Sequence, residues 1–114
     1  MNYSIIFDES FEREVKRLSK HYRSLKADLK ELQQELEANP HLGTDLGGGL
    51  RKIRMRIASK GKGKSGGARV ITFTVVVAID EAEINLLYIY DKAERSTITP
   101  NEIEELLRKN GLQK

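Results

Sequence analysis

Cysteine is missing altogether from this chain, which excludes a disulfide framework, a thiolate nucleophile and any thiolate-bound metal. Its two histidines, His21 and His41, stand twenty residues apart on polar ground, so no metal site is expected. No apolar run approaches the length needed to cross a bilayer. The opening Met1-Asn2-Tyr3-Ser4 lacks the charged-then-apolar pattern of an export signal, so a cytoplasmic location without membrane contact is expected. The most informative shortage is of one charge sign. From Leu46 to Ile79 there is not a single Asp or Glu.

What fills that stretch is basic. Arg51, Lys52, Arg54, Arg56, Lys60, Lys62, Lys64 and Arg69 make eight cations, while the whole chain carries only +3, from 20 Lys and Arg against 17 Asp and Glu. Outside the tract the balance is 12 basic minus 17 acidic, or −5, so the positive charge is local. Lys52, Arg54 and Arg56 alternate with Ile53, Met55 and Ile57, and an extended backbone sends alternate side chains to opposite faces. A solvated strand face is the ordinary fate of such charges. Like charges without an acidic neighbour in sequence repel one another, however, and that favours a polyanionic partner, nucleic acid above all.

The 114 residues fit a single domain, 1–114, and 39% hydrophobic with 32% charged residues is the balance of an ordinary globular core and surface. Tyr3 to Phe7 predicts a short strand, after which Asp8 or Ser10 caps a helix with apolar residues at Phe11, Val15 and Leu18. The same spacing runs on through Tyr22, Leu25, Leu29, Leu32 and Leu36. One long coiled-coil helix and a helical hairpin both fit it. The weak helix formers Ser19-Lys20-His21-Tyr22-Arg23-Ser24 favour a break near His21. Asn39-Pro40 ends the second helix, because a residue before proline is pushed out of the α region.

Leu42 to Gly49 reads as a Gly-rich connection into a cationic strand from Leu50 to Ala58. The turn Lys60-Gly61-Lys62-Gly63-Lys64-Ser65-Gly66-Gly67 then leads to a strand at Arg69 to Ala78, and Asp80-Glu81-Ala82-Glu83 to another at Ile84 to Tyr90. Three sequential strands joined by short turns predict an antiparallel meander. A final helix is sharply punctuated: Thr99 as N-cap, Pro100 first in the helix, Glu102 completing a capping box, Ile98 stapling to Ile103, and Asn110-Gly111 as the stop.

Gly61 to Gly66 matches the letters of a dinucleotide fingerprint, and Gly63-Lys64-Ser65 those of a phosphate-loop end. Both fail on context, since the first needs a helix where Arg69 begins a β-branched run and the second needs glycine at Ala58. The turn is either a mobile basic finger for phosphates or simply a soluble hairpin tip. Tyr88 and Tyr90 share one strand face, where they either stack on a base or belong to the core.

Leu50-Arg51-Lys52-Ile53-Arg54, Ala68-Arg69-Val70-Ile71 and the strand end Tyr88-Ile89-Tyr90-Asp91-Lys92, in the order strand, two helices, basic strands, helix, resemble the RelE/HigB toxins of bacterial type II toxin–antitoxin pairs. Ala58-Ser59-Lys60-Gly61-Lys62-Gly63-Lys64 is similar to the HigB branch in particular. The resemblance implies an α+β, RelE-like fold: a mostly antiparallel sheet with two N-terminal helices and a C-terminal helix. It also implies an endoribonuclease that enters the ribosomal A site and cuts mRNA. Its partners would be mRNA, the ribosome with its rRNA, and a silencing antitoxin of helix-turn-helix or partly disordered type, with no cofactor.

RNA cleavage of this kind needs a base for the 2′-hydroxyl, charge stabilisation at the phosphate and an acid for the leaving oxygen. Lys52, beside Arg51, is the candidate base, because neighbouring cations favour a neutral amine. Arg54 and Arg69 fall where the family has phosphate-clamping cations. Arg51, Arg56, Lys60, Lys62, Lys64, Lys92 and Arg95 are the expected RNA contacts. Where several family members place an arginine at the end of the strand and a base-stacking tyrosine six residues on, this chain has Ala93 and Thr99, and the general acid stays unassigned. That departure leaves two alternatives open: a non-catalytic gyrase inhibitor resembling the ParE branch, and a catalytically decayed nucleic-acid-binding homologue.

Overall fold

Apolar spacing changes from every second residue to every third or fourth just after Phe7, and the backbone follows it. The computed structural model describes residues 1–112 and runs β1 (Asn2–Phe7), α1 (Glu9–Ser19), α2 (Leu25–Ala38), β2 (Thr44–Gly47), β3 (Leu50–Met55), a 3-10 turn (Ala58–Lys60), β4 (Ala68–Ala78), β5 (Glu81–Asp91) and α3 (Pro100–Lys109). Five strands form one sheet in the order β1-β5-β4-β3-β2. β3, β4 and β5 are the expected antiparallel meander, and β1 joins β5 in parallel at the far edge. The fold is α+β, as the RelE-like resemblance implied. No helix among the described residues is long and apolar enough to cross a membrane.

Each sheet face is covered by a different part of the chain. Phe11 and Leu18 of α1 and Leu25, Leu32 and Leu36 of α2 pack on Ile53, Met55, Ile57, Val70 and Ile89. On the opposite face Ile98 and Ile103 pack on Ile71, Leu87 and Tyr90. A bulge between Ile71 and Thr72 sets Ile71 opposite Tyr88 and Thr72 opposite Leu86, so Leu87 has no strand partner. Leu87 and Tyr88 can therefore both turn to the α3 side despite being adjacent.

The 11–36 spacing resolves into two helices, as the weak segment predicted. α1 ends at Ser19, whose hydroxyl donates back to the Val15 carbonyl at 2.6 Å. The break frees Tyr22 to send its ring into the core and its hydroxyl to Asp91. Asp8 is the N-cap of α1, as one of the two expected candidates, and Ser24 is that of α2, but neither side chain makes a capping bond to its own helix. At α3 the full capping box forms between Thr99 and Glu102.

Two expectations need correcting. The connection 42–49 contains strand β2, antiparallel to β3 with Thr44 opposite Lys52. All four of its residues are exposed, so no alternation of apolar and polar residues could announce it. It fits so closely that a Cβ on Gly43, at φ 96°, would lie 2.6 Å from the Lys52 carbonyl oxygen. The cationic strand also stops at Met55 rather than Ala58, because the Ala58 amide donates to Asp28 Oδ2 at 3.1 Å instead of continuing the ladder. There the chain doubles back tightly: a Cβ on Gly67 would meet the Met55 carbonyl oxygen at 2.1 Å.

Candidate nucleic-acid interface

Strand pairing brings three basic residues to the sheet face that α3 partly covers. Arg54 of β3 lies opposite Arg69 of β4, which lies opposite Tyr90 of β5, making one row across three adjacent strands. Lys52 stands two residues along β3, opposite Ile71. It lines a cleft of about 280 Å³ beside the start of α3, with Leu50, Ile98, Pro100 and Glu104. Lys52, Arg54 and Arg69 have no ion pair to a carboxylate among the described residues.

Arg69 is the unusual member, only 8% exposed. Its Nη1 donates to the carbonyls of Lys64 and Ala68, both at 3.1 Å, and Nη2 to that of Ser65 at 3.4 Å. Burial lowers its pKa, and the neighbouring Arg54 charge lowers it further. Arginine stays charged under such pressure, so the side chain is a cation held by dipoles alone. Of five N–H donors these three bonds use three, which leaves two for an incoming anion. A guanidinium with spare donors suits a phosphate oxygen pair.

The rest of the basic tract does not join this platform. Arg51 points through the pleat to the other face, where Nε and Nη2 donate to the Leu42 and Gly43 carbonyls at 3.2 and 2.9 Å. It also approaches Asp45 at 3.8 Å, so the cation expected to crowd Lys52 is turned away from it. Arg56 lies past the end of β3 and reaches Glu31 of α2 at 3.5 Å; Lys64 reaches Glu35 at 3.9 Å. Both pairs are largely exposed and weak in water. Lys62 is exposed in the turn.

Lys60 departs furthest from expectation. Its ammonium is drawn inward to Asp91 Oδ1 at 2.7 Å, with side chains 8% and 2% exposed. The same carboxylate accepts the Tyr22 hydroxyl and, at 2.9 Å, the Ala93 amide. Burial works to raise the Asp91 pKa, but the bonds from Lys60, Tyr22 and Ala93 together hold it below the usual carboxylate range. The bond to Asp91 pushes the Tyr22 phenol up to about 12. The expected basic finger is thus pinned at its base, since Ser59 N also donates to Ser24 Oγ at 2.9 Å. Asp91 and Tyr22 went unread as site residues, and no local signal pairs Lys60 with a carboxylate 31 positions away.

At the end of β5, Arg95 donates to both Glu102 oxygens, at 2.7 and 2.6 Å, and lies 5.6 Å over the Tyr90 ring. That pairing pulls Glu102 down to about 2. Lys92 Nζ donates to the Ser96 carbonyl at 3.1 Å. Thr99 is occupied as a cap, its hydroxyl accepting the Glu102 amide at 3.2 Å. Tyr90 is core by burial, at 2% exposed, yet its hydroxyl has no hydrogen-bond partner. Burial raises its pKa against the pull of Arg69 and Arg95.

The connectivity, the sheet order and the row Arg54-Arg69-Tyr90 can be set against known proteins. A family model described as the RelE toxin of the RelE / RelB toxin-antitoxin system matches residues 6–111, from the end of β1 to the stop of α3. The chain therefore belongs to the RelE toxin family, the toxin half of a toxin–antitoxin system.

Proposed function

We propose that this toxin is a ribosome-dependent endoribonuclease that cuts translated mRNA in the A site and is silenced by a cognate antitoxin of helix-turn-helix type. The observation that carries the reading is the group Lys52, Arg54 and Arg69 on one sheet face, none of them in an ion pair among the described residues. A phosphodiester passing through its transition state gains negative charge on the non-bridging oxygens, and fixed cations stabilise that charge without reorganising. Arg69, buried and held by carbonyls, is fixed in this sense. Lys52, with Arg54 rather than Arg51 as the neighbouring cation on its face, takes the 2′-hydroxyl proton as that oxygen attacks phosphorus. Arg54 with Arg69 clamps the phosphate, and the departing 5′-oxygen takes its proton from water. The reading assigns the charge stabilisation to these fixed cations and invokes no cofactor. Arg95, over the Tyr90 ring, and Lys92, just past the end of the same strand, are further cations for flanking phosphates.

The test uses purified protein with programmed, translating ribosomes. Cleavage at codon positions is expected only while ribosomes translate, and Lys52→Ala with Arg69→Ala together should lower the rate by at least about 100-fold while the chain stays folded. Equal cleavage by that double variant would remove the site assignment. Intact transcripts accompanied by trapped gyrase–DNA breaks would replace the nuclease reading with gyrase inhibition.

A further inference from the structure

We infer that Asp91 is a positioning residue for Arg69: the buried Lys60–Asp91–Tyr22 cluster orders the 58–67 loop, and that loop's carbonyls hold the Arg69 guanidinium in place. The inference rests on Arg69 being the phosphate clamp proposed above. Residues 61–67 include four glycines, Gly61, Gly63, Gly66 and Gly67, so the segment loses more backbone entropy on ordering than almost any other of its length. Left to its own contacts it would sample many shapes. Two of the three carbonyls on Arg69, those of Lys64 and Ser65, come from the middle of this segment. They can hold the guanidinium only while the segment has one conformation.

What restrains the loop is a set of ties to other elements. At its start, Asp28 and Ser24 take the Ala58 and Ser59 amides. At its end, the Lys92 amide donates to the Gly67 carbonyl at 3.1 Å. Between them Lys60 is the side chain that reaches into the fold, and Asp91 receives it. Asp91 stands opposite Ala68 in the sheet, the residue just before Arg69. A single carboxylate thus touches the loop, α1's exit through Tyr22, and the turn after β5 through Ala93. Buried Lys–Asp pairs add little net stability over apolar replacements, and in some proteins they select one arrangement among several. Here the arrangement selected is the one whose carbonyls hold the guanidinium of Arg69, the residue opposite Arg54 in the sheet.

Asp91→Asn keeps the shape and the Ala93 contact but removes the charge that holds Lys60; Tyr22→Phe removes one hydroxyl and is the milder version should the first fail to fold. In ribosome-dependent cleavage, Asp91→Asn is expected to lower kcat about 10- to 100-fold with KM changed less than about threefold, as a loosened catalytic group does. In an Arg69→Ala background the same substitution should cost less than about twofold, because the residue through which it acts is already gone. Losses that multiply independently would overturn the inference. Without any RNA, amides 61–67 and the Arg69 Nε–H should exchange with solvent faster in Asp91→Asn and Tyr22→Phe than in the parent. Unchanged exchange would overturn it too. If the parent cuts no RNA, the nuclease proposal fails on that result, while the exchange comparison still decides whether Asp91 orders the loop around Arg69.

Discussion

Asp8 shows how one side chain can be read correctly for position and wrongly for purpose. It stands at the N-cap of α1, but it makes no capping bond, and its Oδ2 is buried without a partner. Desolvation, then the nearby charge of Glu83, raises its pKa to about 6 from an ordinary 3.8. A carboxyl raised in the folded state binds its proton more tightly there than when unfolded, so stability falls as pH rises between those two values and is lowest above both. Asp8→Asn should accordingly unfold at a higher temperature than the parent at pH 7. The gap should shrink as pH is lowered toward 4, measured by thermal melts across the series; a gap that widens in acid would contradict the assignment. Lys60 teaches the same lesson from the other side. As a residue type it reads as solvated, and only a partner from a distant strand turned it inward.

Elements were the most readable level. α3 carries its start in its own letters, and the box between Thr99 and Glu102 forms as the spacing demands. Thr99→Ala should cost about 1 kcal/mol in urea unfolding, and because the same Glu102 also holds Arg95, the loss should loosen the cation over Tyr90. No change in stability would mean that the cap is redundant with the packing of Ile98 and Ile103. The hairpin of α1 and α2 and the meander of β3, β4 and β5 were equally open to reading, because each depends on periodicity and on turn residues nearby in sequence. β2 was not, since all four residues are exposed and its identity comes wholly from pairing with β3. Nor was the end of β3, which a carboxylate of α2 decides.

For the whole molecule, eight cations in one acid-free tract do not make an eight-cation platform. Arg51, Arg56, Lys60 and Lys64 each meet a carboxylate, Lys62 stands exposed in the turn, and among the described residues Lys52, Arg54 and Arg69 have no ion pair on the α3 face. Single-stranded binding loses affinity with salt in proportion to the phosphates neutralised, by about 0.7 log units per phosphate per decade of salt. A short RNA titrated from low to moderate salt should therefore give a slope of about −3.5, what the three cations of the α3 face produce together with Lys92 and Arg95, and a slope of about −6 would mean that the entire tract engages. The sequence by itself determined the helices, the meander, the α3 cap and the presence of a local basic tract, because hydrophobic periodicity, turn chemistry and charge counting are properties of neighbours. Which cations remain free was decided only by tertiary structure. The partners that neutralise Arg56, Lys60 and Lys64 lie on α2 and at the end of β5, and register across β3, β4 and β5 alone puts Arg54, Arg69 and Tyr90 in one row.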